Sequence, residues 1–241
     1  MRATLLCLHG WGGSSASFDA LKKALGGSDI EVLAPDLPGF GAEPEPTRPW
    51  HTVDYAQWVV DWLAKNHKDT GPLLLLGHSH GGRIALLLCA GEALKPTHLF
   101  LCAPAINRHG RYRLRRQIGY VLAKGGKAIL SLPGLSLLLP TGRRLLYKLM
   151  RVHDYERASP LMQQTLVLVT RDDITPLATH IAIPTELFWG EDDRQTPIAD
   201  GEFLAETMPH ARLHRFAGVR HAVHRDCAAE IAAAVRKAAG I

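Results

Sequence analysis

Apolar residues along this chain follow two rhythms in alternation. Short runs are almost continuously apolar: ATLLCL at 3–8, IEVLAP at 30–35, PLLLLG at 72–77, THLFLCA at 97–103, PTELFWG at 184–190 and ARLHRFA at 211–217. Runs of this length and uniformity fit strands covered on both faces. Between them lie longer windows with apolar residues every three or four positions. SSASFDALKKAL (14–25) puts Phe18, Leu21 and Leu25 on one face and ends at Gly26-Gly27. TVDYAQWVVDWLAKN (52–66) is helical with Thr52 as its expected N-cap. GGRIALLLCAGEAL (81–94), PIADGEFLAETM (197–208) and AAEIAAAVRKAAG (228–240) complete the helical set.

Strand–helix alternation of this kind predicts the α/β class: a mostly parallel sheet of about six strands with helices on both faces. Right-handed crossovers bring the C-terminal ends of the strands to one edge, where open sheets of this type bind ligands. The residues that follow the strands are therefore the ones to inspect. They are His9-Gly10-Trp11, Asp36, residues 77–81, Ala103-Pro104, residues 190–193 and residues 218–221.

Ser79 heads that set. It lies in GHSHGG (77–82), between a strand and a helix, with glycine two residues to either side. A tight strand-to-helix turn leaves little room for side chains, which accounts for Gly77 and Gly81, and it lifts the serine toward the sheet edge. The turn also sets Ser79 at a helix N-terminus, where outward N–H groups favour negative charge. The plainer alternative is that Ser79 only caps the helix.

A serine hydroxyl needs a base to become a nucleophile. Among the 13 histidines, His78 and His80 point away from Ser79 as its neighbours on a sharp turn, and His9 reads as an anchor for its own loop. His221 follows the last strand at the active edge, with His224 its main rival. The base in turn needs an acceptor to hold its tautomer. WGEDDRQTP (189–197) supplies Glu191, Asp192 and Asp193, of which Asp193 is preferred, with Thr196-Pro197 read as N-cap and first residue of the next helix. Donors for a developing oxyanion are the backbone N–H of His80 and that of Trp11 in HGWGG.

Taken together, His9-Gly10-Trp11-Gly12, DLPGFG (36–41), GHSHGG (77–82), PTELFWGEDD (184–193) and His221 resemble the α/β-hydrolase superfamily over nearly the whole chain. The resemblance implies a triad in the order Ser79, Asp193, His221 and an oxyanion hole from Trp11 and His80. It gives Asp193 the acid role as the third residue after Gly190. Two departures stand out. The two strands that open many members are missing here, so the sheet should be shorter at that edge. Arg220 stands where the family usually has glycine before the histidine.

Charge adds a further division. Residues 105–180 carry 13 Lys and Arg against 4 Asp and Glu, whereas the rest of the chain carries 15 against 19. That stretch also breaks the alternation with mostly helical patterns, at the point where the family inserts a helical cap. The expected organisation is a hydrolase core of residues 1–104 and 181–241, with residues 105–180 as the cap. A cap excludes water and shapes the pocket, and leucines of IGYVLAKGGKAILSLPGLSLLLP (118–140) are candidates for an acyl site, though most are expected to pack the cap onto the core. Its basic surface is a solvated face, a site for an anionic substrate or an acidic carrier protein, or a membrane-surface contact.

A serine rather than aspartate at the turn favours acyl transfer by the family's chemistry. The expectation is a carboxylesterase-type serine hydrolase acting on small-molecule esters through an acyl-enzyme. Lactonase, thioesterase, carrier-protein ester hydrolase and carbon–carbon hydrolase remain alternatives, as does a ligand receptor that keeps the pocket. No cofactor and no metal are implied. Nucleic-acid binding is not expected, because basic and aromatic residues do not interleave. No apolar run is long enough for a transmembrane segment. Cys7, Cys89, Cys102 and Cys227 are widely spaced and apolar in context, so a reducing cytoplasm is the expected setting.

Overall fold

In the computed structural model of the chain, residues 2–67, 71–106 and 158–241 are described. Six strands form one sheet: β1 (Ala3–Leu8), β2 (Ile30–Leu33), β3 (Leu73–His78), β4 (His98–Cys102), β5 (Thr185–Gly190) and β6 (Ala211–Phe216). Their spatial order is β2-β1-β3-β4-β5-β6, and every neighbouring pair is parallel. The six expected strands are all present, within a residue or two of the apolar runs.

Strands β1 and β3, each flanked by strands on both sides, explain the continuous apolar runs. Leu5, Leu6, Leu8, Leu74, Leu75 and Leu76 are fully buried, since helices cover both faces. Each such side chain stabilises the fold by roughly 1.5–3 kcal/mol relative to exposure. The edge strands β2 and β6 are only partly buried, which matches their mixed composition.

The described helices are α1 (Asp19–Ala24), α2 (Thr52–Asn66), α3 (His80–Ala90), α4 (Pro160–Arg171), α5 (Ile198–Thr207), α6 (Val223–Asp226) and α7 (Ala228–Ala239). A 3₁₀ turn, Ser15–Phe18, takes up the first part of the helix expected at 14–25. Thr52 is the first residue of α2 and not its cap. Its N–H donates to Asp172 Oδ2 at 2.7 Å, and the His51 N–H donates to Asp54 at 2.8 Å. At the start of the helix His51 and Asp54 form a local cap, while the acceptor for the Thr52 N–H comes from 120 residues away along the chain.

Residues 107–157, most of the expected cap at 105–180, lie outside the described residues. The remainder of that stretch packs on the sheet's helical cover. Val169, Ile174 and Ala178 join the same core as the strands. The buried Arg83 on α3 donates to the carbonyls of Ala105 and Asp172, tying both ends of the segment to α3.

Candidate active site

The turn from β3 to α3 is shaped by backbone sterics. A Cβ on Gly77 would lie 2.5 Å from the Gly81 carbonyl oxygen, and one on Gly81 would collide with the Leu8 carbonyl of β1. Only glycine lets strand, helix and neighbouring strand approach this closely. Between them Ser79 is held at φ 51, ψ −111, a conformation rare for a residue with a side chain. Its N–H donates to Cys102 O at 3.0 Å, and its carbonyl accepts from Ala105 at 3.0 Å and Arg83 at 3.1 Å. The side chain does not cap α3. Ser79 Oγ makes no hydrogen bond among the described residues, His221 included.

Across the same edge, His221 and Asp193 meet. His221 Nδ1 lies 2.7 Å from Asp193 Oδ2. The Asp193 side chain is fully buried and that of His221 is 14% exposed. Asp193 Oδ1 also accepts from the N–H groups of Gln195 at 2.7 Å and Thr196 at 3.1 Å. The Thr196 hydroxyl donates to Oδ2 at 2.8 Å. Four donors fill the acceptor capacity of a carboxylate, so the group has one orientation. With Nδ1–H directed at Asp193, His221 is left with Nε2 as its free acceptor.

Thr196 was expected to cap α5, but it is spent on Asp193, and Pro197 takes the cap position. The three-residue spacing from Asp193 to Thr196 is that of an aspartate bonding N–H groups two and three residues on, a local signal that names this loop. The other acids of the loop stay outside. Glu191 pairs with Arg215 at 2.9 Å, and Asp192 is exposed. Arg220 faces solvent.

His224, the rival base, is buried and makes no hydrogen bond to Asp193. It stacks on His78 with ring centroids 3.8 Å apart and meets Phe18 edge-on. Burial drives its pKa down to about 3, with Arg225 and His221 adding to the effect. His9 holds the loops after β1 and β2 together. The Leu37 N–H donates to His9 Nε2 at 2.9 Å, so the proton sits on Nδ1, which donates to Gly10 O at 2.8 Å. Burial lowers its pKa too.

The loop carrying Trp11 lies against the serine turn. The Trp11 and His80 rings meet edge-on at 5.4 Å, and Tyr55 also meets His80 edge-on at 4.9 Å. His80 is neutral in this cage: desolvation lowers its pKa to about 3. As the first residue of α3 it has a backbone N–H with no partner inside the helix. Asp36 ties the loop further by accepting from Ser15 at 2.6 Å and Ala42 at 2.8 Å. Partial burial pushes the Asp36 carboxyl up, but these bonds outweigh it and hold the pKa below the usual value.

A family model described as alpha/beta hydrolase fold matches residues 3–226. The chain belongs to the α/β-hydrolase family. Within it, the chain is 30% identical over 231 residues to a pimeloyl-[acyl-carrier protein] methyl ester esterase of Chromobacterium violaceum, covering 90% of this chain and 87% of that one. Among solved α/β-hydrolase structures, an esterase from Exiguobacterium antarcticum superposes with TM-score 0.72 at 20% identity, covering 99% of this chain and 92% of that one. An enol-lactonase from Burkholderia xenovorans superposes with TM-score 0.72 at 17% identity, covering 100% and 92%. These structural likenesses bear on the fold alone. No described helix of this α/β hydrolase is long and apolar enough to cross a membrane.

Proposed function

We propose that this α/β hydrolase is a serine carboxylesterase that cleaves small to medium acyl esters through an acyl-enzyme. One observation carries the reading: the Asp193–His221 pair, bonded at 2.7 Å, stands at the same sheet edge as a strained Ser79 whose hydroxyl has no structural employment. Ser79 Oγ attacks the ester carbonyl while His221 Nε2 takes its proton, and Asp193 stabilises the imidazolium that forms. The Ser79–His221 hydrogen bond forms when substrate binds, as catalytic bonds that are long in the free enzyme commonly do. The N–H groups of Trp11 and His80 receive the tetrahedral oxyanion. His221 then protonates the leaving alcohol, and water activated by the same base hydrolyses the acyl-enzyme. The four free thiols support a cytoplasmic setting.

The test is hydrolysis of p-nitrophenyl acetate and butyrate by the wild type and Ser79→Ala. The variant should lose at least about 10³-fold in kcat while keeping its Tm. Equal turnover by both proteins, or none by either across a broad ester panel, overturns the reading; the second result points to a ligand receptor.

A narrower substrate has support of its own. The 13 basic residues within 105–180 and the carrier-ester relative favour an acyl group presented on an acidic carrier protein. A methyl ester on acyl-carrier protein should then exceed the free methyl ester in kcat/KM, and that advantage should shrink with added salt. Equal kcat/KM removes the carrier.

A further inference from the structure

The base is fixed at more than its ring. The carbonyl oxygen of His221 lies 3.0 Å from His78 Nε2. A carbonyl only accepts, so His78 carries its proton on Nε2 and donates. His78 is the last residue of β3 and is joined by one peptide bond to Ser79. Its ring also meets the His221 ring at a centroid distance of 4.9 Å and stacks on His224 at 3.8 Å, tilted by 31°. His78 is 8% exposed, and His224 is buried behind it. Desolvation keeps both rings neutral, as close stacking requires.

We propose that His78 is a positioning residue for the serine reaction, clamping the backbone of the base to the strand that carries the nucleophile. This rests on the triad reading above. The Asp193 bond at Nδ1 orients the imidazole but leaves the backbone of residue 221 to its loop. That loop is exposed at Ala217, Gly218 and Arg220, and Gly218 adopts φ 74. On the acid side it is tied by the Asp192 N–H to Val219 O at 2.9 Å and by close packing of the Val219 and Arg220 carbonyls on Gly190. The His78 bond is the tie on the nucleophile side. With Nδ1 held by the acid loop and the carbonyl held by β3, the direction of Nε2 toward Ser79 is set from both ends. A displacement of about 1 Å between reacting groups costs on the order of 10²-fold in rate, so a single backbone tether has a large effect on kcat.

The experiment compares His78→Gln with His78→Met in the full chain, using p-nitrophenyl butyrate. The two replacements have similar length and volume; the amide restores a donor near the place of Nε2 and the thioether does not. His78→Met should lose roughly 30-fold in kcat with KM within about 2-fold, whereas His78→Gln should stay within about 5-fold of the wild type. In a His221→Ala background the Gln and Met forms should be equal, because no base remains to be placed. Where expression is too poor for kinetics, the rate of Ser79 phosphonylation by a fluorophosphonate in the soluble fraction should rank the variants in the same order. Equal losses for Gln and Met, a change confined to KM, or a Gln–Met gap that persists without His221 would each overturn the clamp. These outcomes leave Ser79→Ala inactive and so differ from failure of the triad itself, in which Ser79→Ala and His221→Ala both keep wild-type turnover and the clamp falls with it.

Discussion

The Ser79 turn and the loops of Asp193 and His221 sit on one sheet edge but differ in how they are held. Around Ser79 the constraint is steric. Gly77, Gly81 and the Leu8 carbonyl of β1 are in backbone-to-backbone contact, and the serine side chain takes no part in holding its own position. Around His221 directed polar bonds are added to backbone packing of Val219 and Arg220 on Gly190. Asp193, Thr196 and His78 place the imidazole through directed hydrogen bonds. Close-packed backbone fails all at once when an atom is added, because nothing flexible gives way. A hydrogen-bonded loop instead loses alignment bond by bond while its packing survives.

Substitutions test that contrast directly. The largest effect should come from Gly81→Ala, whose methyl enters the Leu8 carbonyl. It should destabilise by about 3 kcal/mol or more and lower Tm by roughly 10 °C, measured by circular dichroism. Unchanged Tm would show that the turn has slack after all. Next is Asp193→Asn, which presents an amide to the Nδ1–H of His221. The expected loss in kcat is on the order of 10³–10⁴, with Tm shifted far less than by Gly81→Ala. Thr196→Val removes one donor of the four around Asp193; kcat should fall about 5–10-fold, as for a lost bond of about 1 kcal/mol, at constant KM. A Tm change with no change in kcat would make Thr196 merely structural.

The smallest effect near neutral pH concerns the buried rings. His80 and His224 have folded pKa values of about 3, down from an ordinary 6.5. Between those values the unfolded chain binds protons that the folded chain does not, so stability is full above pH 6.5 and falls as pH drops toward 3. Thermal melts from pH 7 to pH 4 should show Tm falling steadily. His224→Phe should make that slope shallower, and an unaltered slope would mean His224 is not kept neutral by the fold.

Legibility in the sequence followed the range of the forces involved. The leucine-rich runs marked the strands because burial on both faces demands apolar side chains at every position. Gly77 and Gly81 marked the turn because their crowding lies within one strand–helix unit. Thr196 was misread as a helix cap, although the Asp193–Thr196 spacing held the signal of a local turn. Thr52 was misread for another reason: the acceptor at its N–H, Asp172, is remote in sequence, and no local pattern contains it. His78 is excluded as the base because neighbours on a sharp turn point away from Ser79, and its bond to the His221 carbonyl, 143 residues away, lies in no local pattern.

From its residues alone, the chain determined which segments are strands and helices and which side chains stand at the reactive edge. Periodicity, glycine spacing and the order of Ser79, Asp193 and His221 are one-dimensional properties, set by local sterics and by burial. Tertiary structure alone decided which partners those side chains meet. It bonded His221 to Asp193 and not His224, turned Arg220 to solvent, and directed the His78 N–H to a carbonyl 143 residues away. Hydrogen bonds are short and directional, so they exist only once distant segments have been brought within about 3 Å of each other, and that approach is made by the packed sheet.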